Sequence, residues 1–200
     1  MRILLISDSH GDNDAIDELI TRWPDVDLYL HAGDSETHPR SIYPFRVIRG
    51  NCDYSFDMPE ELLIPLPFGN VLMRHKKDVT KERLKKDNIK VFIYGHTHIP
   101  ECIKRDDVAY INPGSLAYPR SIYDRTYMLL ETDKYDIDVY LRSFEQDKIL
   151  KRFKIHLVEP PKPVKKVEEE EMDEDELKEL ERQIDEIDRE IAEIRSKKKL

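Results

Sequence analysis

The chain has 200 residues, 12 prolines, two cysteines and a net charge of −9 at pH 7. That length suits one domain of about 150 residues plus an appendage, and two cysteines are too few for a disulfide framework, so a reducing cytosol fits best. The charge is uneven. Fifteen Asp and Glu face seven Lys and Arg between Glu168 and Leu200, while residues 1–167 hold 27 acids and 26 bases; this near-neutral body has no basic stripe for a long nucleic acid.

Met1-Arg2 leads into an apolar run that reaches Ser7-Asp8, too short for a secretory segment or a membrane span. A cytoplasmic protein is expected. Strands are predicted near 2–7, 27–32 and 45–49, with a helix near 14–22 that starts at Asn13 or Asp14 and stops before Pro24. Residues 60–66 and 70–74 read as a hairpin around Pro67-Phe68-Gly69-Asn70, with Gly-Asn as the turn dipeptide. A helix near 80–88 and a strand over 90–94 follow. Beyond residue 108 the segments VAYIN, TYMLLET, IDVYLRSF and ILKRFKIHL alternate with period two, as strands do. Two face-to-face sheets with helices outside satisfy this order. Trp23 and the tyrosines read as packing.

Polar signals follow five of the apolar runs: Asp8-Ser9-His10, Gly33-Asp34, Gly50-Asn51-Cys52-Asp53, His75, and Gly95-His96-Thr97-His98. An α/β sheet presents a site in this way, at the carboxyl ends of its strands. The donors are Asp8, His10, Asp34, Asn51, His75, His96 and His98, a mixed oxygen and nitrogen set that suits divalent Mn, Fe, Ni or Zn better than Ca or Mg. Seven side chains exceed what one zinc-type ion takes, so two ions are expected. Such a pair, about 3.5–4 Å apart, stabilises both attacking and leaving oxygens of a displacement at phosphorus. Asp34, in the middle of the series, is the natural bridge.

The order DSH, GD, GN, H and GHTH resembles the calcineurin-like metallophosphoesterase superfamily, and Asn112-Pro113-Gly114-Ser115 followed by Pro119-Arg120 resembles its small YfcE-type phosphodiesterase branch. The resemblance spans roughly Met1 to His156. It implies a four-layer αββα sandwich in which Asp8, His10, Asp34 and His98 hold one metal and Asp34, Asn51, His75 and His96 the other. Asn51 would also face the substrate phosphate, and Arg120 would hold a non-bridging phosphate oxygen. The expected activity is hydrolysis of small phosphodiesters by a metal-bridging hydroxide. Asp34, Asn51 and His75 lie at its centre, and manganese is the preferred ion.

Two departures bear on mechanism. Many superfamily members carry His after the Gly-Asn pair, where it acts as general acid; here Cys52 stands there, and a thiol of pKa about 8.5 is a poor replacement. Leaving groups that depart without help are therefore favoured. Family members usually read HG or HGH after the fourth strand, whereas this chain reads His75-Lys76-Lys77. A turn-permitting glycine is missing, and two ammonium groups are placed where they could bind or steer an anionic substrate, Lys76 first among them. Of the other histidines, His31 supports the site from beneath or packs in the core, His38 lies in a loop with Pro39 and is expected at the surface rather than lining the mouth, and His156 is structural.

The domain is expected to span 1–158, followed by a Pro-rich and acidic linker over 159–175 and an amphipathic helix over 176–200. Leu177, Leu180, Ile184, Ile187, Ile191 and Ile194 form an a/d seam. A helix of about 24 residues is near the limit of what survives alone, so self-association into a homo-oligomer is expected. The 38% charged residues lean toward a thermophilic source. Competing functions are a non-catalytic protein-binding scaffold, since the same fold serves the eukaryotic retromer coat, and a phosphomonoesterase, protein phosphatase or nuclease of the superfamily. A scaffold has no need of all seven donors.

Overall fold

The computed structural model describes residues 1–54, 56–159 and Arg182. Two compact units divide the chain, Met1–Pro160 and Pro161–Leu200, and apart from Arg182 the described residues belong to the first. The expected linker and terminal helix lie outside the described residues, save Glu159 and Arg182.

Eleven strands form two sheets among the described residues. In the first sheet β1 (Arg2–Ile6), β2 (Leu28–His31) and β3 (Arg46–Val47) are parallel, and β9 (Thr126–Thr132), β10 (Asp136–Ser143) and β11 (Ile149–His156) extend from β1 as an antiparallel meander. In the second, β5 (Gly69–Arg74), β6 (Ile89–Ile93) and β8 (Val108–Asn112) are parallel, with β4 (Glu61–Leu66) and β7 (Glu101–Arg105) as antiparallel edges. The central strands are continuous apolar runs because both faces are covered.

Helix α1 (Asn13–Arg22) begins where the Asp12 carboxylate accepts the Ala15 N–H at 3.1 Å, and ends at Trp23, before Pro24. The N-cap is thus Asp12, one residue ahead of the expected Asn13 or Asp14. Helix α2 (Lys81–Lys86) is capped by Thr80. Leu5, Leu30, Met73, Ile93 and Met128 fill the space between the sheets. Ile16 and Leu19 of α1 cover Leu4, Ile6 and Leu129 on the outer face of the first sheet. Leu84 of α2 covers Leu72 and Phe92 on that of the second. These three apolar layers establish the four-layer αββα order.

Three details differ from expectation. Strand β3 has only two residues, since the Arg49 N–H leaves the ladder for the Pro59 carbonyl. The β4–β5 turn falls on Pro67-Phe68, because Leu66 pairs with Gly69 and Asn70 is already in the strand. Strand β7 was not expected at all; its five residues carry too few apolar side chains to signal a strand, and pairing with β8 supplies what the pattern lacks. No described helix is long and apolar enough to cross a membrane.

Candidate metal centre

Every motif leaves the carboxyl end of a parallel strand, and β8 adds a sixth end with Asn112 to Ser115. The loops are tied to one another by backbone hydrogen bonds. The Asp8 N–H donates to Gly33 O and the His10 N–H to Asp34 O, both at 3.0 Å, while the Gly95 N–H donates to His75 O at 3.0 Å. The Ser115 hydroxyl donates to Asp8 O at 2.7 Å. Five of the seven expected ligands sit in the left-handed region: Asp8 (φ 52°), His10 (44°), Asp34 (54°), His96 (65°) and His98 (60°). Each such residue costs about 1–2 kcal/mol, and that strain is held because it aims side chains from successive loops at one place. The two glycines ahead of Asn51 and His96 serve close approach. A Cβ on Gly50 would stand 2.1 Å from Asp34 Oδ1, and one on Gly95 would stand 2.0 Å from Ser7 Oγ.

The donors fall into two sets. Ligand atoms of Asp8, His10 and His98 lie within 4.8 Å of one another, and so do those of Asp34, His75 and His96. Asn51 joins the second set, its Oδ1 lying 3.1 Å from His75 Nε2. Imidazole orientation tests whether a cation fits. His75 Nδ1 donates to Ala32 O at 2.8 Å and His98 Nδ1 to Tyr118 O at 2.6 Å, and His10 Nδ1 faces Glu36 Oε1 at 2.5 Å. Carbonyls can only accept, so in the neutral rings of His75 and His98 the lone pair is on Nε2. Those nitrogens face acceptors: His75 Nε2 is 3.2 Å from Asp34 Oδ2, and His98 Nε2 is 3.3 Å from Asp8 Oδ1 and 3.5 Å from His10 Nε2. Lone pairs converging without a hydrogen between them are what a divalent cation satisfies, and outward N–H bonds to oxygen are how metal-binding imidazoles are oriented. The residues fit two ions.

The same contacts and burial set the pKa directions of these groups. Burial alone would lower His75, but Asp34 and the Ala32 carbonyl favour the protonated ring and raise its pKa in the absence of a metal; Asp8 does the same for His98 despite burial. Asp34 is pulled down to about 2, because the His75 contact and the Cys52 N–H outweigh its burial. Burial, then the neighbouring His75 and Lys76, lower His96.

Glu36, Tyr118 and Asp53 escape a sequence reading as participants. Glu36 and Tyr118 orient His10 and His98, and the Tyr118 ring centroid lies 5.1 Å from that of His10. Asp53, fully buried, is a hub. Its Oδ2 accepts the N–H groups of Asp34 and Gly50 at 2.9 and 2.8 Å, and its Oδ1 accepts the Glu36 N–H at 2.7 Å and the Ser35 hydroxyl at 3.2 Å. Its place after Gly-Asn-Cys was the only available signal. His31 lies beneath the site, its Nε2 2.8 Å from Ser9 Oγ and its Nδ1 accepting the Gly33 N–H at 3.2 Å; burial pushes it down to about 4. It is therefore a neutral support.

Lys77 does not stand near the donors. It pairs with Glu101, donates to the Tyr94 hydroxyl at 3.1 Å and lies over the Tyr94 and Tyr110 rings. Lys76 is exposed at the mouth and lines a 220 Å³ cleft with Arg49, Asn51, Arg74 and His75. Neither lysine has positive φ, so the backbone there does without the family glycine. The Arg120 N–H donates to His98 O at 3.1 Å, while its side chain stays exposed, its charge only partly opposing the upward shift of the His98 ring. Burial and then Asp34 push the Cys52 thiol up. His38 is exposed and caps a short 3₁₀ turn at Pro39–Ile42, and His156 pairs with Asp136 at 2.7 Å. A larger cleft of 550 Å³, among Arg2, Asp27 and Glu131, lies at the opposite strand ends and contains none of the motifs.

Residues 1–135 match the family model of the calcineurin-like phosphoesterase superfamily domain. The chain is 31% identical over 153 residues to the probable metallophosphoesterase YsnB of Bacillus subtilis, covering 70% of this chain and 90% of that protein. It is 27% identical over 164 residues to the phosphodiesterase YfcE of Escherichia coli, covering 66% and 89%. A predicted phosphoesterase from Streptococcus pneumoniae superposes with a TM-score of 0.68 at 26% identity, over 77% of this chain and 97% of that one. Vps29 of Chaetomium thermophilum shares the fold, with a TM-score of 0.60 at 18% identity over 80% and 100%.

Proposed function

Because the chain belongs to the calcineurin-like phosphoesterase superfamily, we propose that it is a cytoplasmic hydrolase of small phosphodiesters that works with two divalent metal ions, manganese preferred. The observation that carries this is the paired convergence of Asp8, His10 and His98 on one side and Asp34, His75 and His96 on the other, with imidazole N–H groups turned outward.

Two ions bound there supply Lewis acidity to phosphoryl oxygens and a nucleophile at neutral pH. The protein's part is positional. Asp34, which groups with His75 and His96, is proposed to bridge to the first set. Asn51 lies beside His75 and borders the adjoining cleft, which supports a role for its amide in orienting the phosphoryl group, and Arg120 is proposed to reach a non-bridging oxygen from the His98 side. Cys52 supplies no useful proton, since its thiol is held above its ordinary range. Esters with good leaving groups, such as aryl oxides, are therefore the expected substrates.

The likeness in fold to Vps29 favours a protein-binding scaffold as the second reading. Against it stands the strain: five left-handed ligand residues are costly ornaments for a scaffold. Hydrolysis of mono- and diesters by the manganese-reconstituted protein decides between these readings. Bis-p-nitrophenyl phosphate should be cleaved faster than p-nitrophenyl phosphate. No cleavage of either would favour the scaffold, and the reverse preference a monoesterase.

A further inference from the structure

Lys76 begins a cleft that leads away from the candidate metal centre. The cleft is bordered by Asn51 and His75, so it opens directly off the second donor set. Three cations and two carboxylates, Glu60 and Asp78, line it, and two of the cations are already paired. Arg49 pairs with Glu60, and Arg74 approaches Asp78 at 3.5 Å and Glu61 at 3.7 Å. Lys76 is exposed and makes no ion pair with a described residue. The cleft is 220 Å³, below the roughly 300–1,000 Å³ of pockets that enclose drug-sized ligands. It is too small for a nucleoside arm and has room for a compact anionic group.

Resting on the proposed phosphoesterase reading, we infer that this cleft is a subsite for a second phosphoryl group carried by the substrate. Lys76 is its specificity-determining residue. The preferred substrates are then small phosphate compounds with two phosphoryl groups a bond or two apart, one at the Asn51 amide and the other beside Lys76. Lysine suits this place, since an ammonium on a flexible stem can follow the distal group as a point charge. Arg49 and Arg74 hold their carboxylates at the walls and leave the mouth to it.

The test compares two non-hydrolysable probes, methylenediphosphonate and methylphosphonate, binding to the manganese-loaded full chain by titration calorimetry. Wild type should prefer the diphosphonate. In Lys76→Ala the ratio of the two affinities should fall about three- to fivefold, the scale of a partly exposed charge contact. Lys76→Glu should lower it further and Lys76→Arg should largely restore it. The preference should also weaken with added salt. A ratio unchanged in Lys76→Ala and Lys76→Glu would overturn the inference. Because binding is read rather than turnover, failure of the phosphodiesterase reading appears separately, as no hydrolysis of aryl esters by a protein that still discriminates between the probes.

Discussion

The Asp53 carboxylate accepts the backbone N–H of Asp34 at 2.9 Å, and with the same oxygen the N–H of Gly50 at 2.8 Å. One buried anion thereby joins the loops after β2 and β3 and fixes the left-handed turn from which Asp34 projects. Its other oxygen takes the Glu36 N–H and the Ser35 hydroxyl, so both oxygens must accept. Asp53→Asn would set an NH₂ group against donors on one side. Metal affinity should fall about 10- to 100-fold, as for other groups that position ligands. Calorimetric titration with manganese checks this, and unchanged affinity would remove Asp53 from the account.

Cys52 gives a contrasting expectation. Its backbone N–H donates to Asp34 Oδ1 at 2.7 Å, a bond that any residue but proline can make, and burial pushes its thiol up. Cys52→Ala should therefore leave hydrolysis of bis-p-nitrophenyl phosphate within a few-fold of wild type, whereas a general acid is worth about 100- to 10,000-fold. A loss of that larger size, measured by steady-state kinetics, would mean that the thiol takes part.

His31 predicts a pH dependence of stability. Its pKa is about 4 in the folded protein and about 6.5 in an unfolded chain. Between these values the unfolded state binds more protons, so stability must fall as the pH drops from about 6.5 to about 4, with the contribution intact above that window. The full difference is of order 3 kcal/mol. Urea unfolding of metal-free protein at pH 7 and pH 4.5 should show a smaller acid loss in His31→Gln than in wild type. Equal losses would mean that His31 is not held neutral.

Assembly is a separate proposal, resting on the apolar spacing from Leu177 to Ile194 that is expected to form a seam. Removing residues 160–200 should reduce a wild-type oligomer to a monomer by light scattering and leave activity on small esters, since every candidate ligand lies between residues 8 and 98. Asp at positions 184 and 187 should imitate the truncation, because unpartnered charge in an apolar seam costs several kcal/mol. An oligomer that survives truncation would place assembly in the catalytic unit.

The layers and the donor series were legible because each central strand is an apolar run ending in a polar motif, and both facts are local. What could not be read is long-range. Lys77 turns away toward Glu101 and Tyr94, contacts that exist only once β6 and β7 are in place. The carbonyls of Ala32 and Tyr118 orient His75 and His98, and main-chain oxygens leave no trace in residue identity. The left-handed backbone at Asp8, His10, Asp34, His96 and His98 is equally silent, since Asp and His tolerate it without requiring it. Strand β7 depends on its partner β8 rather than on its own five residues.

A two-ion centre joined by Asp34 can be counted. The most direct measurement is the number of manganese ions bound per chain at saturation, in wild type and in Asp34→Asn, with hydrolysis of bis-p-nitrophenyl phosphate followed in the same samples. Two ions per wild-type chain, fewer in Asp34→Asn and no turnover by that variant are the predicted result. Saturation of wild type at one ion or none, or wild-type turnover by Asp34→Asn, would rule out a two-ion centre bridged by Asp34.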